Sequence, residues 1–477
     1  MSEQRYIGIT IGPIFDTVNL ASSPAALWTG SYMFSYLSRT ICKLLTEKGV
    51  KEEDILSPYY TEKGDFPTDC DGVGLYHDRI IFRAKSFLLA DFADVKKKAI
   101  HELAETFAMN EAYLHEYVMI HAAEFKNPTH PIVGTSKQLD GLELARTFAN
   151  QQNGNELLSV LVGEKNYGNE VIKQLPLVQG FQNWQLWKDG SKESLKSISE
   201  IACSVPNSGM KKHKYYAIVR SDGDRMNQVL EKQDVNTIRT FSRKCIFYCA
   251  EVAKEVRAFG GVAIYSGGDD LLAIIPCESK DGRSVFRFLQ KCNACFARHF
   301  EDYVPKPTVS FGVTICYHKF PLYEALEDSQ NMLFGIAKKT RDCTAIHVQK
   351  HAGQSEALLI PNVDLEEFTK FYEENIRNVD SDWIHSAHHK LYTFRNLFIH
   401  AGKDTAYAEN LFRNLFDADA HVGNHFVENA LPEFYKKMLT SLGIKVVGNT
   451  KETETVDALC YMLRIFKFYT EKGDEES

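Results

Sequence analysis

The chain has 477 residues, enough for roughly three domains, and 44% apolar and 12% aromatic content supports a genuine core. Its net charge, 55 − 63 = −8, excludes a bulk polyanion binder, so any nucleic-acid contact is local or carried by a partner. No apolar run reaches membrane-spanning length, and Tyr6 to Ile11 reads as a strand rather than a signal peptide, which points to a soluble, cytoplasmic protein.

The eleven cysteines are scattered through apolar stretches. Cys292 and Cys295 form the one close pair, on a helical pattern with no second pair at zinc spacing, so they read as core thiols. The short basic clusters Lys96 to Lys98 and Lys211 to Lys214 read as solvated faces or strand edges.

In chain order, residues 5–12 form a strand ending at Gly12-Pro13. A helix follows from Pro24 to Lys48, closed by Gly49. Asp78 to Phe82 is a strand, 90–112 a helix, and 117–121 a further strand. These make a first βα-rich domain, 1–150, with no metal-binding turn. Residues 151–210 read as a helical tail and linker, with Trp184 and Trp187 as anchors and Pro206 to Gly209 as the boundary.

The second domain spans 211–355. Tyr215 to Arg220 is a strand leading into the acidic turn Ser221-Asp222-Gly223-Asp224. A helix carries Ile238, Phe241, Cys245, Cys249, Val252, Val256 and Phe259 on one face. Two strands then flank Tyr265-Ser266-Gly267-Gly268-Asp269-Asp270, a hairpin with glycine at the bend. A helix through Val285 and His299, a strand over 308–315, a helix from Pro321 to Lys339 and a strand at 345–348 complete the domain. The order β-α-β-β-α-β is ferredoxin-like. Residues 362–477 lack strand alternation and read as a helical domain whose end, from Glu471, frays. The fold class is α+β: two ferredoxin-like domains and a C-terminal helical domain.

The hairpin carries the chemistry. Adjacent carboxylates at the exit of a tight turn repel each other and suffer desolvation near a buried strand. Divalent ions relieve both penalties, and Mg²⁺ accepts one or two carboxylates with water and phosphate. In this topology the first and third strands are central neighbours, so Asp222 can converge with Asp269 and Asp270. Three carboxylates suit two ions acting on an in-line displacement. Lys338 and Lys339 can reach phosphate oxygens or can serve the helix dipole.

The segment Tyr215 to Met226 resembles the first strand and turn of the catalytic palm in the large subunit of type III CRISPR complexes, the CRISPR polymerase family. Ser266 to Asp270 is similar to its Gly-Gly-Asp-Asp hairpin, and Ser310 to Ile315 through Lys338-Lys339 to its later strand and helix. Ile11-Gly12-Pro13 and Leu27 to Tyr32 resemble the first palm of the Cmr branch. The resemblance implies a nucleotidyltransferase that makes cyclic oligoadenylate from ATP with two Mg²⁺ or Mn²⁺ ions, inside a complex with other subunits, guide RNA and target RNA. It implies that Asp222, Asp269 and Asp270 bind metal, that Gly267 and Gly268 border the nucleotide, and that Ser266 contacts it. The first palm is then an acceptor platform.

Two family features are missing from the pattern: an N-terminal His-Asp nuclease domain and a zinc-binding cysteine cluster between the palms. DNA cleavage is therefore not expected, and His77-Asp78 reads as coincidence. Arg395 to His400 matches the Arg-x4-His pattern of HEPN-type ribonucleases, a pattern that recurs cheaply. The alternatives are a non-catalytic scaffold of the RNA-guided complex, a GGDEF-like dinucleotide cyclase, and an enzyme joining ATP to another small acceptor. Intact carboxylates oppose the scaffold, and Asp270 and the second palm oppose the GGDEF reading.

Overall fold

A computed structural model describes residues 4–19, 21, 23–67, 73–107, 109–144, 196–205, 209–349, 356–416, 424–448 and 454–473. The Trp184 and Trp187 anchors, most of the linker and the Pro206 boundary lie outside these residues. Among the described residues there are two sheets. One has four strands in the order β2-β3-β1-β4; the other has seven, in the order β11-β10-β9-β8-β5-β7-β6. The chain divides into two compact units, residues 1–198, 225–274 and 295–308, and residues 199–224, 275–294 and 309–477. The division cuts through segment 211–355, because part of the second palm packs with the first.

In the first unit β1 (Arg5–Gly12) is a central strand, antiparallel to both β3 (Arg79–Arg83) and β4 (Met119–Lys126). The sequence shows no sign of β2 (Ile55–Ser57), which is too short for a readable alternation. The order β2-β3-β1-β4 is that of a ferredoxin-like sheet. Helix α1 (Pro24–Glu47) starts where Ser23 Oγ accepts from the Ala26 amide, 3.2 Å away, and stops at Gly49, φ 92°. It buries Leu27, Trp28, Phe34, Ile41 and Leu45. The helix expected over 90–112 is two, α2 (Phe92–Phe107) and α3 (Glu111–Tyr117). Asn110 breaks it by accepting the amides of Ala112 and Tyr113 as a new N-cap.

The same unit holds α4 (Val235–Phe259), begun by Asp234 and ended by Gly260 at φ 99°, and the hairpin of β6 (Val262–Gly267) and β7 (Asp270–Pro276) up to Ile274. Helix α1 packs on β6, and α4 packs on β2. Tyr6, Leu56 and Ile238 share one buried cluster, so both palms contribute to a single core.

The second unit holds β5 (Tyr215–Asp224), which runs on through the residues expected as its turn, and β8 (Thr308–Tyr317) from Val309 on. It also holds β9 (Cys343–Val348), parallel to β8. The helix after Pro321 is α5 (Leu322–Gln330), continued by a π segment, Asn331–Ala337, and a last turn, Lys338–Thr340. Pro321 is its N-cap rather than its first helical residue. Gly312 permits close approach here: a Cβ there would lie 2.4 Å from the amide nitrogen of Leu333. The C-terminal segment is helical but contains β11 (Lys445–Val447), which pairs with β10 (Ala357–Pro361). Glu471 to Gly473 are not frayed; Lys211 N donates to Glu471 O at 2.9 Å and Gly473 N to Gly209 O at 2.7 Å. Lys212 and His213 are not solvated either. Both are buried against Glu278, at 2.9 and 3.1 Å, and Arg377 holds its other oxygen.

Candidate functional site

In the second unit Asp224 is fully buried, where an isolated carboxylate is untenable. Three donors resolve this. Ser310 Oγ lies 2.8 and 3.0 Å from its two oxygens, the Asp342 amide 2.9 Å from Oδ2, and Lys338 Nζ 3.0 Å from Oδ1. Lys338 also donates to the Gly223 carbonyl at 2.7 Å and pairs with Asp222. Asp222 is partly open, its side chain 24% exposed. The two aspartates of the acidic stretch therefore differ in kind: Asp224 anchors the end of β5, and Asp222 remains accessible. Burial draws the Lys338 pKa down to about 7, helped by Arg341. The two carboxylates it touches oppose that loss of charge. Lys339, expected beside it, is exposed.

In the first unit the hairpin is a two-residue turn, since Gly267 pairs with Asp270 across it. Gly268 has φ 70° and opens the turn, the place that a type II′ hairpin reserves for glycine. Asp269 completes it, and Asp270 begins β7. Gly267 is needed for space: a Cβ there would lie 2.7 Å from the Tyr265 hydroxyl, which folds over it. Helix α4 holds the hairpin from behind. Ser266 Oγ donates to the Cys249 carbonyl at 3.0 Å, and Cys249 Sγ donates to the Gly268 carbonyl at 3.2 Å. Ser266 is thus buried, with its proton committed to the helix. Burial lifts the Tyr265 phenol well above its usual range, and the charges of Asp270 and Asp78 add to the effect.

His77 lies beside the hairpin turn. A Cβ on Gly268 would lie 3.8 Å from His77 Cδ2, so the first palm faces the turn through this ring. His77 Nδ1 accepts the Arg79 amide at 3.3 Å, which leaves the proton on Nε2, 3.0 Å from Ser57 Oγ. Burial, with Arg79, pushes its pKa down to about 4, so it stays neutral at pH 7. Burial lifts Asp78 to about 6, against the pull of Arg79. The sequence pattern could not reveal these partners. Ser57, His77 and Gly268 are far apart in the chain, and tertiary packing, with α1 against β6, joins them.

Comparison of the two palm segments with known proteins is specific. The family model "CRISPR-associated protein Cmr2, N-terminal" matches residues 6–110, and "Cas10/Cmr2, second palm domain" matches residues 215–346. The chain belongs to this family of type III CRISPR large subunits. The Cmr subunit Cmr2 of Pyrococcus furiosus is 28% identical over 232 residues, 40% of this chain and 26% of that protein. The chain thus matches about a quarter of the length of that curated relative. Among solved structures, a Csm1–Csm4 cassette in complex with cA4 aligns with TM-score 0.60 and 14% identity, over 98% of this chain and 70% of the other. The apo type III-B Cmr-beta complex aligns with TM-score 0.60 and 11% identity, over 97% and 81%. At such identities these two structures establish the fold, α+β with palm domains. Among the described residues no helix is long and apolar enough to cross a membrane.

Proposed function

We propose that this chain is the nucleotidyltransferase of a type III CRISPR antiviral complex, joining ATP into a cyclic oligoadenylate-type messenger. It works in the cytoplasm with other subunits, guide RNA and target RNA. Asp222, Asp269 and Asp270 would hold two Mg²⁺ or Mn²⁺ ions. The observation that carries this reading is the type II′-like turn, which sets the Asp269 and Asp270 carboxylates side by side at the head of β7.

The donor set fits a hard divalent cation: carboxylate oxygens, with a lysine ammonium already resting on Asp222 as a stand-in cation. When bound, such ions neutralise triphosphate charge and make an attacking hydroxyl more acidic. The remaining work belongs to the chain. Gly267 and Gly268 keep the turn free of side chains so that a nucleotide can approach the backbone. Ser266 and Cys249 fix the turn against α4. Lys338 offers a charge to phosphate oxygens while neutralising Asp224, and Lys339 adds a more distant positive charge. The first palm, with neutral His77 against the turn, serves as the platform for the acceptor nucleotide, and the alignment of two nucleotides is worth much of the rate.

The test is mass spectrometry of products from ATP with Mg²⁺ or Mn²⁺, with and without assembled guide and target RNA. The double variant Asp269→Ala, Asp270→Ala should fold and lose product formation by at least about a thousandfold. Unchanged turnover in that variant overturns the assignment.

A further inference from the structure

Away from the hairpin turn, helix α4 runs beside α6 (Val285–His299), whose last turn, from Cys295, belongs to the same compact unit. Glu251 on α4 faces Cys295 and His299 on α6, and a ligand atom from each lies within 4.8 Å of the other two. Cys295 and His299 are four residues apart, so they share one face of the helix. His299 Nε2 is 3.0 Å from Glu251 Oε2. Cys295 is buried at 7% exposure, and His299 is packed edge-on against Tyr248, which restrains the ring.

We propose that Glu251, Cys295 and His299 form a zinc-binding site, with water as the fourth ligand, that clips α4 to α6. The donor chemistry selects the metal. Thiolate and imidazole favour zinc over magnesium or calcium, and zinc accepts a carboxylate as a third ligand. Ligand atoms about 2.0–2.3 Å from a tetrahedral centre stand roughly 3.5 Å apart. The three ligand atoms lie within 4.8 Å of one another, which leaves side-chain rotation to close the site. A cation already lies there: the Arg298 guanidinium pairs with Glu251, and its Nη2 is 3.7 Å from Cys295 Sγ. The Arg298 side chain is 59% exposed, so it can swing into water when a metal takes its place. On binding, the Cys295 thiol gives its proton to solvent. Glu⁻ and Cys⁻ then balance the dication, whereas Arg298 alone balances one charge.

The site is independent of the messenger chemistry, and so is its test. The full chain, stripped with a chelator, is titrated with Co²⁺ and then with Zn²⁺. One equivalent of Co²⁺ should produce a thiolate-to-cobalt charge-transfer band that Zn²⁺ bleaches. Cys295→Ser should abolish the band. His299→Ala and Glu251→Gln should each weaken Co²⁺ binding at least about tenfold. Arg298→Gln should bind at least as tightly as wild type, and Asp269→Ala with Asp270→Ala should keep the band. Absence of the band in wild type, its survival in folded Cys295→Ser, or full affinity in both folded His299→Ala and folded Glu251→Gln overturns the proposal and leaves an ion-pair network.

Discussion

The ammonium of Lys338 rests on the carboxylate of Asp222 and lies 3.0 Å from Asp224 Oδ1. One lysine therefore joins the accessible aspartate of β5 to the buried one. Removing it leaves Asp224 inside the protein without its counter-charge. Lys338→Ala should cost about 3 kcal/mol, while Lys339→Ala, at an exposed position, should stay within about 0.5 kcal/mol. Urea unfolding of the two variants decides this; equal midpoints would show that Lys338 carries no structural charge.

Asp222 and Asp224 should separate function from folding. Asp224 is 1% exposed and held by Ser310, Asp342 and Lys338, so Asp224→Ala strands three sets of donors and should destabilise by about 3 kcal/mol or more. Asp222→Ala removes one carboxylate from a partly open position. It should change stability by less than about 1 kcal/mol and still abolish the nucleotidyl transfer proposed above. Calorimetry beside product yield gives the two readouts, and the same pattern in both variants would contradict the division of roles.

This division also marks what a sequence can show. The hairpin is legible because its signal is local: glycine at the bend, paired aspartates after it, apolar strands on both sides. The helix over Val235–Phe259 is legible from its periodicity. Which aspartate of Asp222-Gly223-Asp224 is buried is not legible, because Ser310 and Asp342 reach Asp224 from distant parts of the chain. The same holds for Lys212 and His213, whose charged appearance hides a buried pairing with Glu278. Strand β11 has three residues, too few for alternation to register, and the Asn110 cap is hidden inside a helix-like pattern. The place of His77 beside the turn is not legible either. Its chemistry lies in the neighbour that packing brings, not in the residue that follows it.

Asp78 supplies a pH test. Burial raises its carboxyl from 3.8 to about 6 in the folded protein. The folded state then holds the proton more tightly than the unfolded state. The charged form opposes folding above about pH 6, and that penalty fades as pH falls towards 3.8. Asp78→Asn should therefore stabilise the protein by about 2 kcal/mol at pH 8, allowing for partial exposure, and by little at pH 4. His77, whose lowered pKa acts with the opposite sign, is common to both proteins and largely cancels in the difference. A stability difference independent of pH would refute this account.

The Arg395 to His400 pattern should prove inert towards RNA. Arg395 Nη2 donates to Asp457 at 2.6 Å, and Nε pairs with the other oxygen, in a two-point bond to the first turn of the helix Thr455–Thr470. Arg395→Ala should cost about 1–2 kcal/mol, and His400→Ala should leave RNA as intact as wild type does. RNA cleavage lost specifically in His400→Ala would restore the ribonuclease reading.

Arg239 should prove to be the clamp between the palms. It projects from α4 of the second palm into the first. Nη1 donates to the carbonyls of Glu52 and Ile55, the latter at 2.9 Å, and Nη2 donates to that of Tyr60 at 2.7 Å. Its guanidinium carbon lies 4.6 Å from the centre of the Tyr59 ring. Only a planar fork can serve three carbonyls in this way, so lysine is a poor substitute. The clamped segment contains Ser57, which holds His77, which faces Gly268. Loosening Arg239 should therefore reach the turn without touching any aspartate. Arg239→Ala should lower stability by about 3 kcal/mol and Arg239→Lys by roughly half as much. At a temperature where both variants remain folded, product formation should fall in the same order, with the larger effect on turnover. The measurement is urea unfolding paired with messenger yield at saturating ATP. If Arg239→Ala keeps wild-type stability, the clamp is absent. If it loses stability but keeps full turnover, the two palms need not be held in register for catalysis.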